Sequence, residues 1–307
     1  MGNPCFFGID GGGTHSRLAL IDGEGKVLAR SEAGSTNIYS VAKDEVFANL
    51  STLLGSALKS AGLNMQDVSA GCFGSAGLGR VGEQELFRAF FESFLGKDVP
   101  VKLCGDGEIL LCGGLESLEG YCLIAGTGSI ALGRSQAGAL VRSGGHGYLL
   151  GDEGSASWIG RTAIARTFRS LEGRDIPTCM MPLILEATGL SESSELIKYA
   201  HHDADKAKIA SLAPVVTQSA RKGDPLALDI LRIGAEELAL LVKSVINQSP
   251  WIKRMDLVLA GGVMKHDEIV RNKLKESLTR EFPSLLVSSP KGTALEGACM
   301  LALKLFA

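Results

Sequence analysis

Two glycine-rich turns, one in each half of the chain, constrain the possible fold more than any other feature. The first covers residues 8–14 (GIDGGGT) and the second covers residues 125–129 (AGTGS). Each stands between apolar runs typical of β-strands, and each is followed by a further glycine turn and a third apolar run. We interpret the two as a duplicated β-hairpin. Because glycine-rich turns expose backbone N–H groups, a facing pair of them predicts a site that holds one polyphosphate from both sides.

Length and composition indicate an ordinary globular protein. The 307 residues fit two domains better than one, and 45% hydrophobic with 21% charged residues allow a sizeable core. The net charge of -3 argues against nucleic acid or an anionic membrane as the main partner. No apolar run reaches the ~18 residues of a membrane span, and the start of the chain lacks the basic region of a signal peptide. We therefore expect a cytoplasmic protein with no membrane or nucleic-acid partner.

The cysteines predict buried, reduced thiols. There are 7 of them, no two have C-x-x-C spacing, and most lie in apolar strand-like runs. Both features agree with a reducing compartment.

The order of predicted elements repeats. Strands are predicted over residues 5–9, 17–21, 27–30, 68–74 and 99–104, with helices over 41–61 and 83–95. The pattern restarts with strands over 121–125, 130–133 and 140–142, then a helical insertion over about 155–249 with breaks near Pro177, Pro182, Gly189 and residues 223–225. Strands over 256–260 and 285–288 and helices over 267–281 and 294–305 complete the chain. The restart predicts an N-terminal domain over 1–117 and a C-terminal domain over 118–307, and the final helix, about 293–307, is a candidate to pack back on the first domain.

Six motifs, taken in their order and spacing, resemble the sugar kinase/Hsp70/actin superfamily. They are the turn at 8–14, residues 35–37 (STN), Asp106, the turn at 125–129, residues 144–155 (GGHGYLLGDEGS) and residues 259–263 (LAGGV). Within it, the chain looks like the BadF/BadG/BcrA/BcrD ATPase family and its N-acetylglucosamine kinase-like branch. The resemblance implies an α/β fold of two ribonuclease-H-like (actin-like ATPase) domains that flank an interdomain cleft for ATP and sugar.

The two turns are the candidate phosphate-binding loops. The residues concerned are Gly11, Gly12, Gly13 and Thr14 in the first loop, and Gly126, Thr127, Gly128 and Ser129 in the second. Backbone N–H groups would bind the phosphates, and Asp10 at the mouth of the first turn would hold Mg²⁺, usually through waters. The alternative is a plain hairpin that needs glycines for its turn geometry. Neither a Walker sequence nor a βα dinucleotide fingerprint is present.

Two further segments are candidates for the adenosine contact. Gly261 and Gly262 stand between a strand and a helix, where a nucleotide could lie against backbone; the alternative is a tight βα connection. In the resembling family a helix of the insertion closes over the adenine. The matching stretch here is 208–210, which makes Ala210 the implied contact.

Asp106 is the candidate catalytic base. It follows a predicted strand and precedes a glycine, and a carboxylate at such a position can accept the proton of an attacking sugar hydroxyl. The family places its base at the matching Asp, which also makes Asp106 a substrate contact. The alternative is an Asx-turn or a helix N-cap before Gly107.

The resemblance implies four more sugar contacts. These are Asn37, Gly145, His146 and Asp152. The Asn37 amide can donate and accept, and the Asp152 carboxylate can accept from paired hydroxyls. The alternatives are a polar turn at Asn37 and a favourable charge before a helix N-terminus at Asp152. Because His146 stands where many relatives carry Trp, the exact sugar is left open.

These residues predict an ATP-dependent kinase acting on the primary hydroxyl of an amino sugar, with ATP and Mg²⁺ as cofactors. N-acetylglucosamine, or a related sugar such as N-acetylmuramic acid or glucosamine, is the expected substrate, and relatives imply a homodimer. The alternative is a regulatory ATPase that activates a CoA-ester reductase or dehydratase and has no sugar substrate. Such activators carry a cluster-ligating cysteine in the context Cys-Ala-Ala-Gly-Thr-Gly. The matching loop here, residues 123–128 (LIAGTG), has leucine in place of that cysteine and favours the kinase.

Overall fold

The protein consists of two compact units. The structure, a computed structural model, describes residues 4–76, 78 and 81–306. The first unit combines residues 1–120, 134–139 and 290–307, and the second combines residues 121–133 and 140–289.

The first unit is built on a five-stranded mixed sheet. Its strands are β1 (Cys5–Gly11), β2 (Ser16–Asp22), β3 (Val27–Ala33), β4 (Val68–Ser75) and β5 (Val101–Cys104). They lie in the order β3-β2-β1-β4-β5. Short turns let β1, β2 and β3 pair antiparallel, whereas β4 pairs parallel with β1 and β5. Parallel neighbours need crossover connections, which the helices between these strands supply.

Helices cover both faces of this sheet. They are α1 (Lys43–Ala61), α2 (Val81–Leu95), α3 (Asp106–Leu115) and α12 (Ala294–Lys304). Because side chains alternate along a strand, Phe7 and Ile9 of β1 enter a core with residues of α1 and α2. On the opposite face α12 packs against β1 and α3, and Gly8 lies against Cys299.

The second unit repeats the same sheet. Its strands are β6 (Gly120–Ala125), β7 (Ser129–Arg134), β8 (Leu140–Gly144), β9 (Asp256–Ala260) and β10 (Leu286–Ser288). The order β10-β9-β6-β7-β8 is the order of the first sheet read from its other edge, with β6 in the place of β1. β9 pairs parallel with β6 and β10. The predicted α/β class with a duplicated, mixed sheet is confirmed.

The predicted insertion is helical throughout its described length. Its helices are α4 (Ala156–Leu171), α5 (Met180–Thr188), α6 (Ser193–Lys198), α7 (Lys206–Ala210), α8 (Ala213–Arg221) and α9 (Pro225–Gln248), and a π-helical turn over Tyr199–Asp203 precedes α7. Two more helices, α10 (Gly262–His266) and α11 (Glu268–Glu281), follow β9. Pro182 does not break a helix but lies in the first turn of α5, where its missing N–H has no intrahelical partner to lose. Pro225 begins α9, and Asp224 caps it by accepting the Ala227 N–H.

Two helices fall outside the sequence prediction. The first is α3, whose segment contains three glycines and almost no polar face, so that it shows no clear helical period. The second is α10, which is only 5 residues long. Within the described ranges, no helix combines the length and the apolar character that crossing a membrane requires.

Candidate functional site

The first glycine turn connects the central strand β1 to β2. Gly11 ends β1, Ser16 begins β2, and Thr14 is exposed between them. At Gly12 the chain doubles back so closely that a Cβ would lie 2.3 Å from the His15 carbonyl oxygen. A side chain is therefore excluded at this position, which leaves the backbone of the turn open to a ligand.

Residues 35–37 are bound to this turn. The Gly12 carbonyl accepts the Thr36 N–H at 3.3 Å and the Ser35 hydroxyl at 3.3 Å, and the Thr36 hydroxyl lies 2.8 Å from that of Ser16. These bonds place Asn37 beside the turn. Its Oδ1 accepts the Tyr39 N–H at 2.9 Å, and its amide nitrogen has no hydrogen-bond partner in the described part of the chain.

Asp10 and Asp106 lie at one edge of the first sheet, because β1 and β5 run in the same direction and both residues stand at carboxyl ends. Asp10 pairs with Arg17 of β2 at 2.7 Å. Asp106 begins α3, directly after Gly105, and its Oδ1 accepts the Gly107 N–H at 2.9 Å. The predicted alternative, a local turn bond, is thus present, and it leaves the second oxygen of Asp106 for other partners.

The surroundings of Asp106 make it a better proton acceptor than an ordinary aspartate. Although it keeps an exposed surface, nearby protein atoms desolvate its carboxyl and raise its pKa above the usual value. The Gly107 N–H opposes this shift, and the negative charge of Asp10 adds to it. A raised pKa is typical of carboxylates that act as bases.

The donors around Asp10 fit a hydrated magnesium ion. One carboxylate oxygen binds Arg17, and the other is open to a metal or its waters. No group of three or more His, Cys, Asp or Glu side chains that could enclose a metal occurs among the described residues. Mg²⁺ usually keeps several waters and takes one or two carboxylates together with substrate phosphates, so a single carboxylate beside a phosphate turn suits it.

The second glycine turn connects β6 to β7 in the second unit. Within the turn, the Gly126 N–H donates to the Gly128 carbonyl at 2.9 Å. The Gly126 carbonyl accepts the Ala156 N–H at 2.9 Å, and the Ser129 hydroxyl donates to the Glu153 carbonyl at 2.8 Å. The turn is therefore held against the segment that leads into α4.

Asp152 is tied to this turn rather than being left open to solvent. Its backbone is left-handed, with φ at 64°, and its side chain is 4% exposed. Oδ1 accepts the Ser129 N–H at 3.1 Å, and Oδ2 pairs with Lys206 of α7 at 2.7 Å. Sugar binding by Asp152 stays a prediction, and the structure adds two partners that the sequence did not suggest. Lys206 carries no sequence signal, because it is separated from Asp152 by 54 positions.

Gly261 and Gly262 lie against the second turn. Gly261 has φ at 93° and ψ at 164°, a conformation open almost only to glycine. A Cβ there would meet the Ala125 carbonyl oxygen at 2.3 Å. The tight βα connection is thus real, and it also places backbone beside Gly126.

A cavity of about 750 Å³ in the second unit, here called cavity A, brings four predicted nucleotide contacts together. These are Gly126, Thr127, Ala210 and Gly262. Residues of α8 that the sequence did not single out, Pro214, Thr217 and Gln218, complete part of the wall. A concave site of mixed apolar and polar lining suits a heterocycle with a polar tail.

A second cavity of about 610 Å³, here called cavity B, lies on the other side of α7. Gly151, Trp158, Arg161 and Lys206 are among its walls. The exposed side chain of His146 lies next to Gly151, where the added Cβ would be 3.5 Å from the His146 Cβ. The Gly145 N–H donates to the Ser129 carbonyl at 2.9 Å, so the predicted sugar contacts of this unit adjoin the second turn.

The predicted site residues thus form two groups, one in each unit. The first unit holds Asp10, Gly11, Gly12, Gly13, Thr14, Asn37 and Asp106. The second unit holds Gly126, Thr127, Gly128, Ser129, Gly145, His146, Asp152, Ala210, Gly261 and Gly262. Within each group a glycine turn is the centre.

Two proteins of known name are similar over nearly the whole chain. The N-acetylmuramic acid/N-acetylglucosamine kinase of Clostridium acetobutylicum is 36% identical, covering 96% of this chain and 97% of the relative. The N-acetyl-D-glucosamine kinase of Dictyostelium discoideum is 28% identical, covering 99% of both.

Solved structures and a family description agree with these relatives. A Chromobacterium violaceum structure named for N-acetylglucosamine kinase superimposes with a TM-score of 0.72 at 27% identity, covering 97% of this chain and 99% of that one. Residues 7–302 match the family description for the BadF/BadG/BcrA/BcrD ATPases. The match spans both glycine turns, both sheets and the helical insertion, and the chain therefore belongs to the BadF/BadG/BcrA/BcrD ATPase family.

Proposed function

We propose that this protein is an ATP-dependent kinase that phosphorylates the primary hydroxyl of an N-acetylated amino sugar. N-acetylglucosamine and N-acetylmuramic acid are the first candidates, and glucosamine is the next. The observation that carries the proposal is the position of Asp106: a carboxyl of raised pKa at the same sheet edge as Asp10 and the first glycine turn. Relatives that share the whole length of the chain are named as kinases of these sugars.

Asp106 serves as the base in this proposal. As the sugar oxygen forms a bond to the γ-phosphorus of ATP, the bond from that phosphorus to the bridging oxygen of ADP breaks. The hydroxyl proton passes to the Asp106 carboxylate. Phosphoryl transfer depends mainly on positioning and charge stabilisation, so one base with two phosphate turns meets its needs.

The two turns and Asp10 bind the triphosphate. Backbone N–H groups of residues 11–14 and 126–129 donate to phosphate oxygens, where they stabilise charge without reorganisation. Mg²⁺, when bound, neutralises phosphate charge, and Asp10 would hold it through its waters. Cavity A takes the adenosine, with Ala210 and Gly262 on opposite sides of it along the chain.

The sugar is bound by polar groups beside each turn. The Asn37 amide nitrogen donates to one hydroxyl, and the backbone near Gly145 and the ring of His146 bind another face. A carboxylate offers about four lone-pair directions, so Asp152 can accept a sugar hydroxyl in addition to its bonds to Ser129 and Lys206. His146 is smaller than the Trp of many relatives and leaves room for a bulkier substituent.

The test is ADP release from Mg-ATP with a panel of sugars: N-acetylglucosamine, N-acetylmuramic acid, glucosamine, N-acetylmannosamine and glucose. We expect strong stimulation by at least one N-acetylated amino sugar and none by its 6-deoxy analogue. Phosphate placement at the primary hydroxyl is checked by NMR of the product. A slow ATPase activity that no sugar changes would overturn the proposal and favour a regulatory ATPase, whose iron content would then be measured.

A further inference from the structure

The short helix α7 forms a wall that both cavities of the second unit share. Lys206 and Ile209 line cavity B, whereas Ala207 and Ala210 line cavity A. Its backbone packs directly on α4, since a Cβ at Gly160 would lie 2.1 Å from the Ile209 carbonyl oxygen. A contact on one face of this helix is therefore held in fixed relation to the other face.

Lys206 connects this wall to the second glycine turn. Its Nζ lies 2.7 Å from Asp152 Oδ2, and the lysine side chain is 33% exposed against 4% for the aspartate. The other oxygen of Asp152 accepts the Ser129 N–H, the last amide of the turn. A single carboxylate thus bridges the lysine of α7 and the backbone of the turn.

We propose that Lys206 is a positioning residue for ATP, which acts through Asp152 to fix the second glycine turn relative to the α7 wall of cavity A. This inference rests on the proposed function, because it takes the turn and cavity A as parts of one nucleotide site. It assigns to the helical insertion a part in phosphate binding as well as in covering the adenine. Lys206 itself touches neither the turn nor cavity A.

The physical reason is the cost of an unpaired buried charge. A carboxylate with so little exposure is stable only while a cation or hydrogen-bond donors compensate it. Without Lys206, the Asp152 side chain takes up a proton or rotates toward water. Either change weakens its bond to the Ser129 N–H, and the turn loses the geometry that phosphate binding needs.

The experiment compares Lys206→Met with Lys206→Arg and with Lys208→Met. Lys208 is a matched control on the same helix: it is exposed, bonds the Asp203 carbonyl at 3.0 Å and lines neither cavity. For each variant we measure the ATP Kd without sugar, the KM for ATP and for sugar, kcat, and the Tm. We expect Lys206→Met to raise the Kd and KM for ATP by about tenfold or more, because truncating one partner of a buried pair is strongly unfavourable. Lys206→Arg should restore most of the affinity, and Lys208→Met should stay within about twofold of the wild type.

A double-mutant cycle with Asp152→Asn tests whether Lys206 acts through Asp152. In the Asp152→Asn background, Lys206→Met should change the ATP Kd by less than about twofold, since the charge that it compensates is gone. The double variant also removes both charges, so it keeps the test available if Lys206→Met alone is poorly folded. Additive effects in the cycle, or a lowered Tm with unchanged ATP Kd in Lys206→Met, would overturn the inference.

The ATP Kd separates this inference from the proposed function. If no sugar is phosphorylated but the Kd shifts as expected, the kinase proposal fails and the role of Lys206 holds. If a sugar is phosphorylated and the Kd does not shift, the kinase proposal holds and Lys206 is only structural.

Discussion

The two glycine turns occupy equivalent places in two equivalent sheets, yet a carboxylate serves each of them differently. In the first unit Asp10 comes from the strand itself, is 18% exposed and pairs with an arginine that is 53% exposed. In the second unit Asp152 comes from a separate segment, is 4% exposed and pairs with Lys206 of the insertion. The first carboxylate lies near solvent, and the second is buried among protein partners.

The difference teaches that duplicating a sheet does not duplicate its chemistry. A carboxylate near solvent can exchange a weak surface partner for a metal or its waters at little cost, since exposed ion pairs contribute about 0–1 kcal/mol. A buried carboxylate is costly to disturb, so it serves better to hold backbone in place. We therefore expect reaction chemistry to depend on the first unit and the shape of the nucleotide site to depend on the second.

Replacing the base should have the largest effect. Asp106→Asn keeps the shape of the side chain but removes the proton acceptor, and we expect kcat to fall by about 10²–10⁴-fold. The ATP Kd should change little, because the nucleotide contacts of the second unit are intact. Asp98→Asn, an exposed carboxylate of the same unit, is the control. Turnover near that of the wild type would remove Asp106 as the base.

The pH dependence should report the same carboxyl. Because the pKa of Asp106 is raised, kcat/KM should fall about tenfold per pH unit on the acid side, beginning above the ordinary aspartate range. The folded state holds this proton more tightly than the unfolded state does, so the stability contribution of Asp106 declines as pH rises through its raised pKa. Asp106→Asn should therefore have a slightly higher Tm at pH 7. A pH profile without an acid limb above the ordinary range, or a lower Tm, contradicts the assignment.

A glycine pair tests the second turn. Gly261→Ala forces a side chain into a conformation and a space that only glycine accepts, and we expect a loss of about 1–3 kcal/mol in stability with a higher KM for ATP. Gly262→Ala is the matched control, since nothing lies within 4 Å of its added Cβ. Urea denaturation and ATP titration give the two readouts. Equal behaviour of the two variants would show that the close approach at Gly261 has no consequence.

The smallest effect should come from the surface pair of the first turn. Arg17→Gln leaves Asp10 without its exposed partner, so we expect the free energy of unfolding to change by less than about 1 kcal/mol. The Mg²⁺ concentration for half-maximal activity should fall slightly, because Arg17 no longer competes for the carboxylate. A stability loss as large as that of Lys206→Met would erase the contrast between the two carboxylates.

Much of the fold could be predicted because its signals are local. The turn glycines, the alternating apolar runs and the repeated order of elements each lie within short stretches of sequence, and they yielded the strands of both sheets. The helix α3 escaped because its glycines and apolar residues carry no helical period. Pro182 misled the prediction because a proline is equally acceptable in the first turn of a helix.

For the candidate site, the sequence by itself determined which backbone turns and which carboxylates carry the chemistry, because those residue types stand at the ends of predictable strands. Only the tertiary structure decided how each carboxylate is used. The bond from Lys206 to Asp152 joins residues 54 positions apart, and α8 reaches cavity A from within the insertion. Such contacts depend on how helices pack, and the sequence near each residue is the same whether or not the contact forms.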